Sequence, residues 1–264
     1  DIIWRYDNAD GRGEISDAVL TDDGHILIAD LYGIAEVDAE GLELWRHQAP
    51  EGTEIHTIQP VGEKHVLYVQ NGKPAKVVVM NIAKQKVVHE FVIPYPEKGS
   101  VHGQFRNARL TSKGTLLVAN MAMGFVAEYN AKGKELHRWE LFGPWSATEL
   151  ENGNILMVGR KGTVKEVMRD GTVVWETNTT QYGVNNPQKA YRLKNGNTVI
   201  TNWFNEWDKT AVATFNPSRA PLQMIELAPD GHVAWEVSSW KGDRNLGPAT
   251  TFQLLDEPVV RKDC

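Results

Sequence analysis

Two histidines of this 264-residue chain lie where a side chain could do acid–base chemistry. His56 in TEIHTIQ and His102 in SVHGQFRNAR both come just before a predicted inner strand, on adjoining repeats. A neutral imidazole at such a place can act as a base or as a polar contact. His56 and His102 are therefore the candidate catalytic residues. The alternative is that each histidine only hydrogen-bonds near the start of a strand.

Two arginines break a repeated polar pattern and predict an anion site. Aligned hairpins place Arg106 at a position whose residue type varies between repeats, and Arg160 follows the one second strand that ends in glycine rather than in a polar residue. A guanidinium offers only donors, so it does not make the local turn that an Asx residue makes. Arg106 and Arg160 together could form a fork for a carboxylate or a sulfate.

A second group of candidate ligand-binding residues is polar or aromatic. Asn120 and Asn202 recur at the ends of second strands, where the alternative role is to cap a turn through local backbone hydrogen bonds. Gln188 lies in an inner strand, where the alternative is solvated channel lining. The fifth repeat contains about 17 extra residues within WFNEWDKTAVATFNPSRAP, judged against the spacing of the other repeats. Trp203 and Trp207 in this insertion could stack on a sugar ring, or they could cover the edge of their own sheet.

Several kinds of site have no motif in the chain. The sequence has no H-x-H or HExxH pair, no carboxylate-rich calcium loop and no paired cysteines, so we predict no metal and no cofactor. It also has no G-x-S-x-G nucleophile elbow and no phosphate loop. Any catalytic activity must therefore come from residues that the fold brings together.

The elements that must position these residues are repeated hairpins. GLELW, GTVVW and GHVAW share a spacing from glycine to tryptophan, and GKELH keeps the spacing with histidine in place of tryptophan. We call each of these five-residue segments a frame, its glycine the frame glycine and its last residue the frame end. Each frame is preceded by another glycine-turned hairpin, as in AVLTDDGHILIAD and ATELENGNILMVG. Two hairpins in series make a four-stranded unit, which is the repeat of a β-propeller.

The spacing of the frame ends predicts six blades. The frame ends used for this count are Trp4, Trp45, Val88, His137, Trp175 and Trp235. The residues after the last frame, together with those through Trp4, fall short of the roughly 40 expected of one blade. We therefore expect an all-β, six-bladed propeller of four-stranded antiparallel blades. Its last blade would be closed by both chain termini, with DIIWRY as the outer strand.

Composition predicts one globular domain spanning residues 1–264. The chain is 41% hydrophobic and 23% charged, and its repeats run without a linker. A net charge of -6 without basic runs argues against a nucleic-acid partner, and no apolar stretch is long enough to cross a bilayer. The start at Asp1 suggests that a signal peptide or tag was removed, so we expect a secreted or periplasmic monomer.

The frames resemble a known family. VDAEGLELW, MRDGTVVW and APDGHVAW are similar to the tryptophan-docking repeats of quinoprotein-like (PQQ-repeat-like) β-propellers. The quinone-dependent dehydrogenases of that family have longer chains than this one, and an adjacent pair of cysteines stacks on their quinone. This chain has a single cysteine. HGQFRNARLTSKGTLLVAN and LGPATTFQLLDEP also resemble segments of short propellers from polysaccharide-degrading bacteria. The resemblance implies the propeller fold and a carbohydrate setting.

The sequence supports three functions that it does not separate. The first is a propeller that binds a carbohydrate or other polar ligand at the mouth of its channel. The second is a glycoside hydrolase or polysaccharide lyase that uses the histidines as acid or base and the arginines to neutralise a uronate. The third is a platform for protein interactions, because fold alone does not specify activity.

Overall fold

The computed structural model describes residues 2–9, 11–203, 222–238, 248–257 and 259. Within these residues the chain forms five four-stranded antiparallel sheets and no α-helix. The fold is an all-β propeller with five four-stranded blades. No helix in the described ranges has the length and apolar character that a membrane crossing requires.

The strands follow the chain in order through the blades. Blade 1 has β1 Asp17–Leu20, β2 Ile26–Ala29, β3 Gly33–Val37 and β4 Glu43–Gln48. Blade 2 has β5 Glu54–Val61, β6 His65–Asn71, β7 Lys76–Asn81 and β8 Lys86–Val92. Blade 3 has β9 Phe105–Leu110, β10 Leu116–Asn120, β11 Phe125–Tyr129 and β12 Glu135–Glu140. Blade 4 has β13 Pro144–Glu149, β14 Ile155–Gly159, β15 Thr163–Val167 and β16 Val173–Asn178. Blade 5 has β17 Pro187–Arg192, β18 Thr198–Asn202, β19 Leu222–Leu227 and β20 Val233–Ser238.

The hairpins form because glycine supplies a conformation that other residues avoid. Gly24 turns β1 into β2 with a φ of 84°, and its N–H donates to the Thr21 carbonyl at 3.0 Å. Gly41 plays the same part between β3 and β4 with a φ of 81°. A side chain at a positive φ costs about 1 kcal/mol or more, so glycine at these turns fixes the length of each hairpin.

Contacts divide the chain into two compact units. Unit 1 consists of residues 1–108, 130–134 and 253–264, and unit 2 of residues 109–129 and 135–252. In unit 1, strands of blades 1 and 2 bury Leu27, Ile58 and Tyr68 in one apolar cluster. Unit 2 has two clusters, one around Leu117 and Ile155 and one among residues of blades 4 and 5. The single domain over residues 1–264 stays a prediction.

The predicted six blades are wrong, because the terminal segments do not form a sixth blade. Among the described residues at the two ends, DIIWRY contributes no strand: Trp4 donates its Nε1–H to the Ala39 carbonyl at 2.7 Å and stacks on Tyr6. Val259 makes only an isolated parallel bridge to Thr21. Among the described residues, neither terminal segment contains a strand pair, so the two ends add no further four-stranded sheet to the five blades.

A glutamate recurs on the third strand of four blades, buried in blades 1, 3 and 4 and partly buried in blade 5. It lies five residues before the frame glycine and directly opposite the frame's tryptophan or histidine, and its instances are Glu36, Glu128, Glu166 and Glu226. In each blade the residue after the inner hairpin glycine hydrogen-bonds this carboxylate; these partners are His25, Thr115, Asn154 and Asn197. The hydrogen bonds offset the cost of burying the carboxylates. In these four blades a hydrogen bond therefore connects the turn of the inner hairpin to the third strand.

Candidate functional site

The two candidate histidines meet on one carboxylate in unit 1. Glu54 Oε2 lies 2.9 Å from His56 Nε2 and 2.8 Å from His102 Nδ1. The two imidazole rings meet edge to face, with centroids 5.0 Å apart. The sequence placed both histidines near strand starts, and the structure brings them together through a glutamate that sequence reasoning did not select.

Strand β5 positions two members of this cluster. Glu54 and His56 are two residues apart, so a strand places both on the same face. The register between β5 and β6 shifts between Ile55 and Ile58, and His56 lies within this β-bulge. Bulges redirect side chains beside functional sites. The E-x-H spacing within TEIHTIQ was the signal that could have identified Glu54.

A short turn holds the second histidine. His102 lies in the 3₁₀ turn Val101–Gly103, where the Ser100 hydroxyl oxygen accepts a hydrogen bond from the His102 backbone N–H. The next residue but one, Gln104, is fully buried and bonds both backbone groups of Gly72. His102 therefore stands on an anchored backbone, although its own side chain is 44% exposed.

The neighbours of His56 determine where its proton lies. Arg106 Nη1 lies 3.1 Å from His56 Nδ1, and the Ser16 hydroxyl lies 3.2 Å from the same nitrogen. A guanidinium can only donate, so Nδ1 must accept and Nε2 must carry the proton. That Nε2–H then donates to Glu54. His56 is thus a neutral ring that orients the carboxylate.

The pKa values agree with this proton assignment. The pKa of His56 is lowered to about 4: burial is the main cause, the positive charge of Arg106 acts in the same direction, and the hydrogen bond to Glu54 opposes the shift. The hydrogen bond from His56 lowers the pKa of Glu54, against the effect of burial, and the bond from His102 adds to the lowering. Near pH 7 Glu54 is therefore a carboxylate that only accepts, and His102 Nδ1 must be its donor.

A pocket opens beside the cluster within unit 1. It has a volume of about 280 Å³ and is lined by Tyr32, by residues of the β4–β5 loop, by Glu54 and by Val101, the neighbour of His102. Tyr32 is 49% exposed as a residue, and Gln48 and Glu51 add polar groups to the lining. The volume is just below the roughly 300–1,000 Å³ of drug-sized ligand sites, which suits one small polar ring.

The two arginines of the predicted fork have different surroundings. Arg106 is mostly buried in unit 1, with Nη1 also 3.5 Å from Glu14 Oε1. Arg160 lies in unit 2, where its Nη2 is 3.7 Å from the Met121 sulfur and its guanidinium lies 5.7 Å from the Trp145 ring centroid. The anion fork of Arg106 and Arg160 stays a prediction.

The remaining predicted ligand residues bond nearby backbone in unit 2. Asn202 accepts from the Asn186 N–H at 3.0 Å and donates to the Leu222 carbonyl at 2.7 Å. Asn120 accepts from the Met123 N–H, and Gln188 donates to the Asn186 carbonyl. Trp203 is partly buried and its backbone N–H bonds the same carbonyl of Asn186. Trp207 lies outside the described residues.

The Glu54 cluster also has the ligand types of a metal site. One atom each of Glu54, His56 and His102 lies within 4.8 Å of the others. A metal on His56 Nε2 would require that nitrogen to be unprotonated and Nδ1 to carry the proton. Nδ1 would then point an N–H at the donor group of Arg106. The described geometry therefore fits the hydrogen-bonded cluster better than a metal centre.

Known proteins place the fold but not the activity. No protein-family model matches the chain, and no curated protein matches it. Among solved structures, a protein of unknown function from Bacteroides caccae is 25% identical, with a TM-score of 0.76 over 90% of this chain and 86% of its own. Virginiamycin B lyase from Staphylococcus aureus is 11% identical, with a TM-score of 0.61 over 87% of this chain and 71% of its own. Both neighbours are β-propellers.

Proposed function

We propose that the protein is a propeller enzyme in which His102 transfers a proton to or from a small polar substrate bound at the Tyr32–Glu54 pocket. The observation that supports this most is the hydrogen bond from His102 Nδ1 to Glu54 Oε2 at 2.8 Å on a half-exposed ring. A carboxylate that accepts from one imidazole nitrogen leaves a lone pair on the other in the neutral ring. Nε2 of His102 is then the base.

The two histidines have different roles in this proposal. His56 is only 1% exposed and its two nitrogens contact protein groups, so it serves to position Glu54. His102 can meet a substrate, and its imidazolium form is stabilised by the adjacent Glu54 carboxylate. The proton taken from the substrate is held on Nε2 and returned to the leaving group or to water.

The reaction class that suits a single acid–base histidine is elimination or hydrolysis. In an elimination, His102 removes a proton from carbon, the electrons form a double bond, and the leaving group departs from the next atom with a proton from the same histidine or from water. A histidine-to-alanine variant of virginiamycin B lyase is catalytically inactive, so this fold can support a lyase that depends on histidine. That enzyme is 12% identical to this chain and shares only its fold.

A sugar ring is the substrate class that the pocket favours. The exposed face of Tyr32 can stack on the apolar face of a sugar, and Gln48, Glu51 and Thr53 can bond hydroxyl groups. The carbohydrate setting implied by the resemblance to short propellers of polysaccharide-degrading bacteria belongs to the same proposal, as does a secreted or periplasmic location. A non-catalytic carbohydrate receptor would use the same pocket, and only the formation of a product separates the two.

The test is turnover by matched variants. Neutral and uronate mono- and oligosaccharides are incubated with the protein, and products are detected by mass spectrometry. We expect a product from at least one compound, and a kcat reduced at least about 100-fold in His102→Ala, because a positioned acid–base group contributes roughly 10²–10⁴. His232→Ala is the control, since His232 pairs with Asp230 at 2.6 Å on an exposed hairpin. Binding without product, or an unchanged kcat in His102→Ala, would contradict the enzyme.

A further inference from the structure

The inner hairpin of blade 1 carries a second cluster of metal-ligating side chains, apart from the Glu54 cluster. Asp23 and His25 flank the hairpin glycine, and Glu36 is the buried third-strand glutamate of the same blade. One ligand atom from each lies within 4.8 Å of the other two. We propose that Asp23, His25 and Glu36 bind a divalent cation of the zinc class. The sequence predicted no metal, because these ligands lack a recognised motif.

The distances fit a cation between the three groups. His25 Nδ1 lies 2.8 Å from Glu36 Oε1 and 3.6 Å from Asp23 Oδ2. Ligand atoms about 2.1 Å from a tetrahedral zinc are roughly 3.4 Å apart. To hold a zinc, His25 Nδ1 and Glu36 Oε1 must therefore separate by about 0.6 Å and His25 Nδ1 and Asp23 Oδ2 approach by about 0.2 Å, which small side-chain rotations allow. Asp23 is 45% exposed and His25 33%, so water can complete the coordination.

Neighbouring donors orient the two carboxylates. Trp45 Nε1 donates to Glu36 Oε2 at 2.5 Å, and the Thr21 hydroxyl donates to Asp23 Oδ1 at 2.5 Å. In each carboxylate the other oxygen is the one that faces His25. Outer donors of this kind hold the ligands of metal sites in place and are typical of built sites.

The inner hairpins of blades 4 and 5 have different residue types on either side of the glycine, and these types are not zinc ligands. Blade 4 reads Asn152-Gly153-Asn154, and both amides donate to Glu166 Oε1, at 3.1 and 2.7 Å. Blade 5 has the same three residue types. Two amides satisfy the buried glutamate as donors. Blade 1 replaces them with a carboxylate and an imidazole, which are the side chains that bind metals.

Zinc is the cation that fits this donor set. One imidazole nitrogen with two carboxylate oxygens suits Zn²⁺ and related first-row metals, whereas Ca²⁺ and Mg²⁺ take all-oxygen sites. Three protein ligands with water in the fourth position is also a common zinc arrangement. The expected selectivity is therefore Zn²⁺ or Co²⁺ over Mg²⁺ and Ca²⁺.

The test compares the tag-free chain with Asp23→Asn/His25→Asn, which recreates the hairpin of blades 4 and 5 and should therefore fold. Calorimetry with Zn²⁺ should show one site in the wild type that the double variant lacks. Excess Zn²⁺ at 100 times Kd should shift the wild-type unfolding equilibrium about 100-fold. The single variant Asp23→Asn, at a half-exposed position, should weaken Zn²⁺ binding at least tenfold and serves if the double variant does not fold.

A second variant locates the ion. Glu54→Gln/His102→Ala removes the other candidate ligands and should leave the Zn²⁺ affinity unchanged. Equal Zn²⁺ binding by the wild type and by Asp23→Asn/His25→Asn overturns the proposal, as does loss of binding only in Glu54→Gln/His102→Ala. Absence of Zn²⁺ binding to the wild type at micromolar protein also overturns it. None of these results depends on the activity of His102.

Discussion

Arg106 Nη1 lies 3.1 Å from His56 Nδ1 and donates a hydrogen bond to it. The arginine thereby determines which nitrogen of the neutral His56 ring carries the proton. Because Nδ1 accepts, the proton of His56 sits on Nε2 and is directed at Glu54. Glu54 in turn accepts from His102. One arginine therefore orders a chain of three side chains, and the catalytic nitrogen proposed for His102 is at its far end.

Removing the carboxylate should impair turnover more than binding. In Glu54→Gln the side chain no longer stabilises a positive His102, and its amide can hydrogen-bond either tautomer of the ring. We expect kcat to fall about 100-fold or more while KM changes less than threefold. Steady-state kinetics on the substrate found in the screen check this. A loss confined to KM would show that Glu54 binds substrate rather than positioning His102.

The stability of the fold should depend on pH through His56. Its pKa is about 4 in the folded protein and near 6.5 when unfolded, so the unfolded chain binds the extra proton between these values. Stability therefore falls as pH falls through this window, by about 2 kcal/mol between pH 7 and pH 5. Urea unfolding at both pH values measures it. His56→Gln should lose most of the dependence, and His232→Gln should keep it.

Frame tryptophans should differ in their contribution to stability. Trp175 packs against the apolar cluster of blades 4 and 5 and lies under the Arg192 guanidinium at 4.9 Å, whereas Trp235 is 49% exposed. The sequence predicts a cost on the order of 3 to 5 kcal/mol for either residue if it is packed between blades. From the burial, we expect about 2–4 kcal/mol for Trp175→Ala and about 1 kcal/mol for Trp235→Ala. Equal losses in urea unfolding would contradict the difference.

A buried hydroxyl joins three blades within unit 1. Thr57 donates to Asp17 Oδ2 at 2.9 Å and accepts from the Ala108 N–H at 3.2 Å. Thr57→Val keeps the shape but removes both hydrogen bonds, so we expect a loss of about 1–3 kcal/mol in the free energy of unfolding. Thr57→Ser keeps the hydroxyl and should lose less. An equal free energy of unfolding for Thr57→Val and Thr57→Ser would show that the two hydrogen bonds of Thr57 do not stabilise the fold.

The sequence predicted the architecture from its turns and failed where a turn was missing. Glycines at fixed spacing locate the hairpins, and the frame ends Trp45, Val88, His137, Trp175 and Trp235 all lie in fourth strands. Trp4 repeats the residue type, but it lies in a segment without strands among the described residues. Residue identity alone therefore overcounted the blades, because a strand pair also needs its turn.

The candidate site could be predicted only in part, because its contacts join residues far apart in the chain. His56 and His102 stood out by their positions near strand starts. Glu54 has an ordinary residue type for a strand edge, and its contact with His102 spans 48 residues. Period-two alternation could show that Glu54 and His56 share a face, but no local pattern shows which turn lies against that face.

Nuclear magnetic resonance of the imidazole nitrogens tests the central claim most directly. Long-range proton–nitrogen correlation spectra of ¹⁵N-histidine protein, assigned with His56→Gln and His102→Ala, report which nitrogen of each neutral ring carries the proton. We predict the Nδ1–H form for His102 and the Nε2–H form for His56. In Glu54→Gln the preference at His102 should weaken. A His102 ring protonated on Nε2 in the neutral wild-type protein would contradict the account, because the proposed base would then have no lone pair to offer.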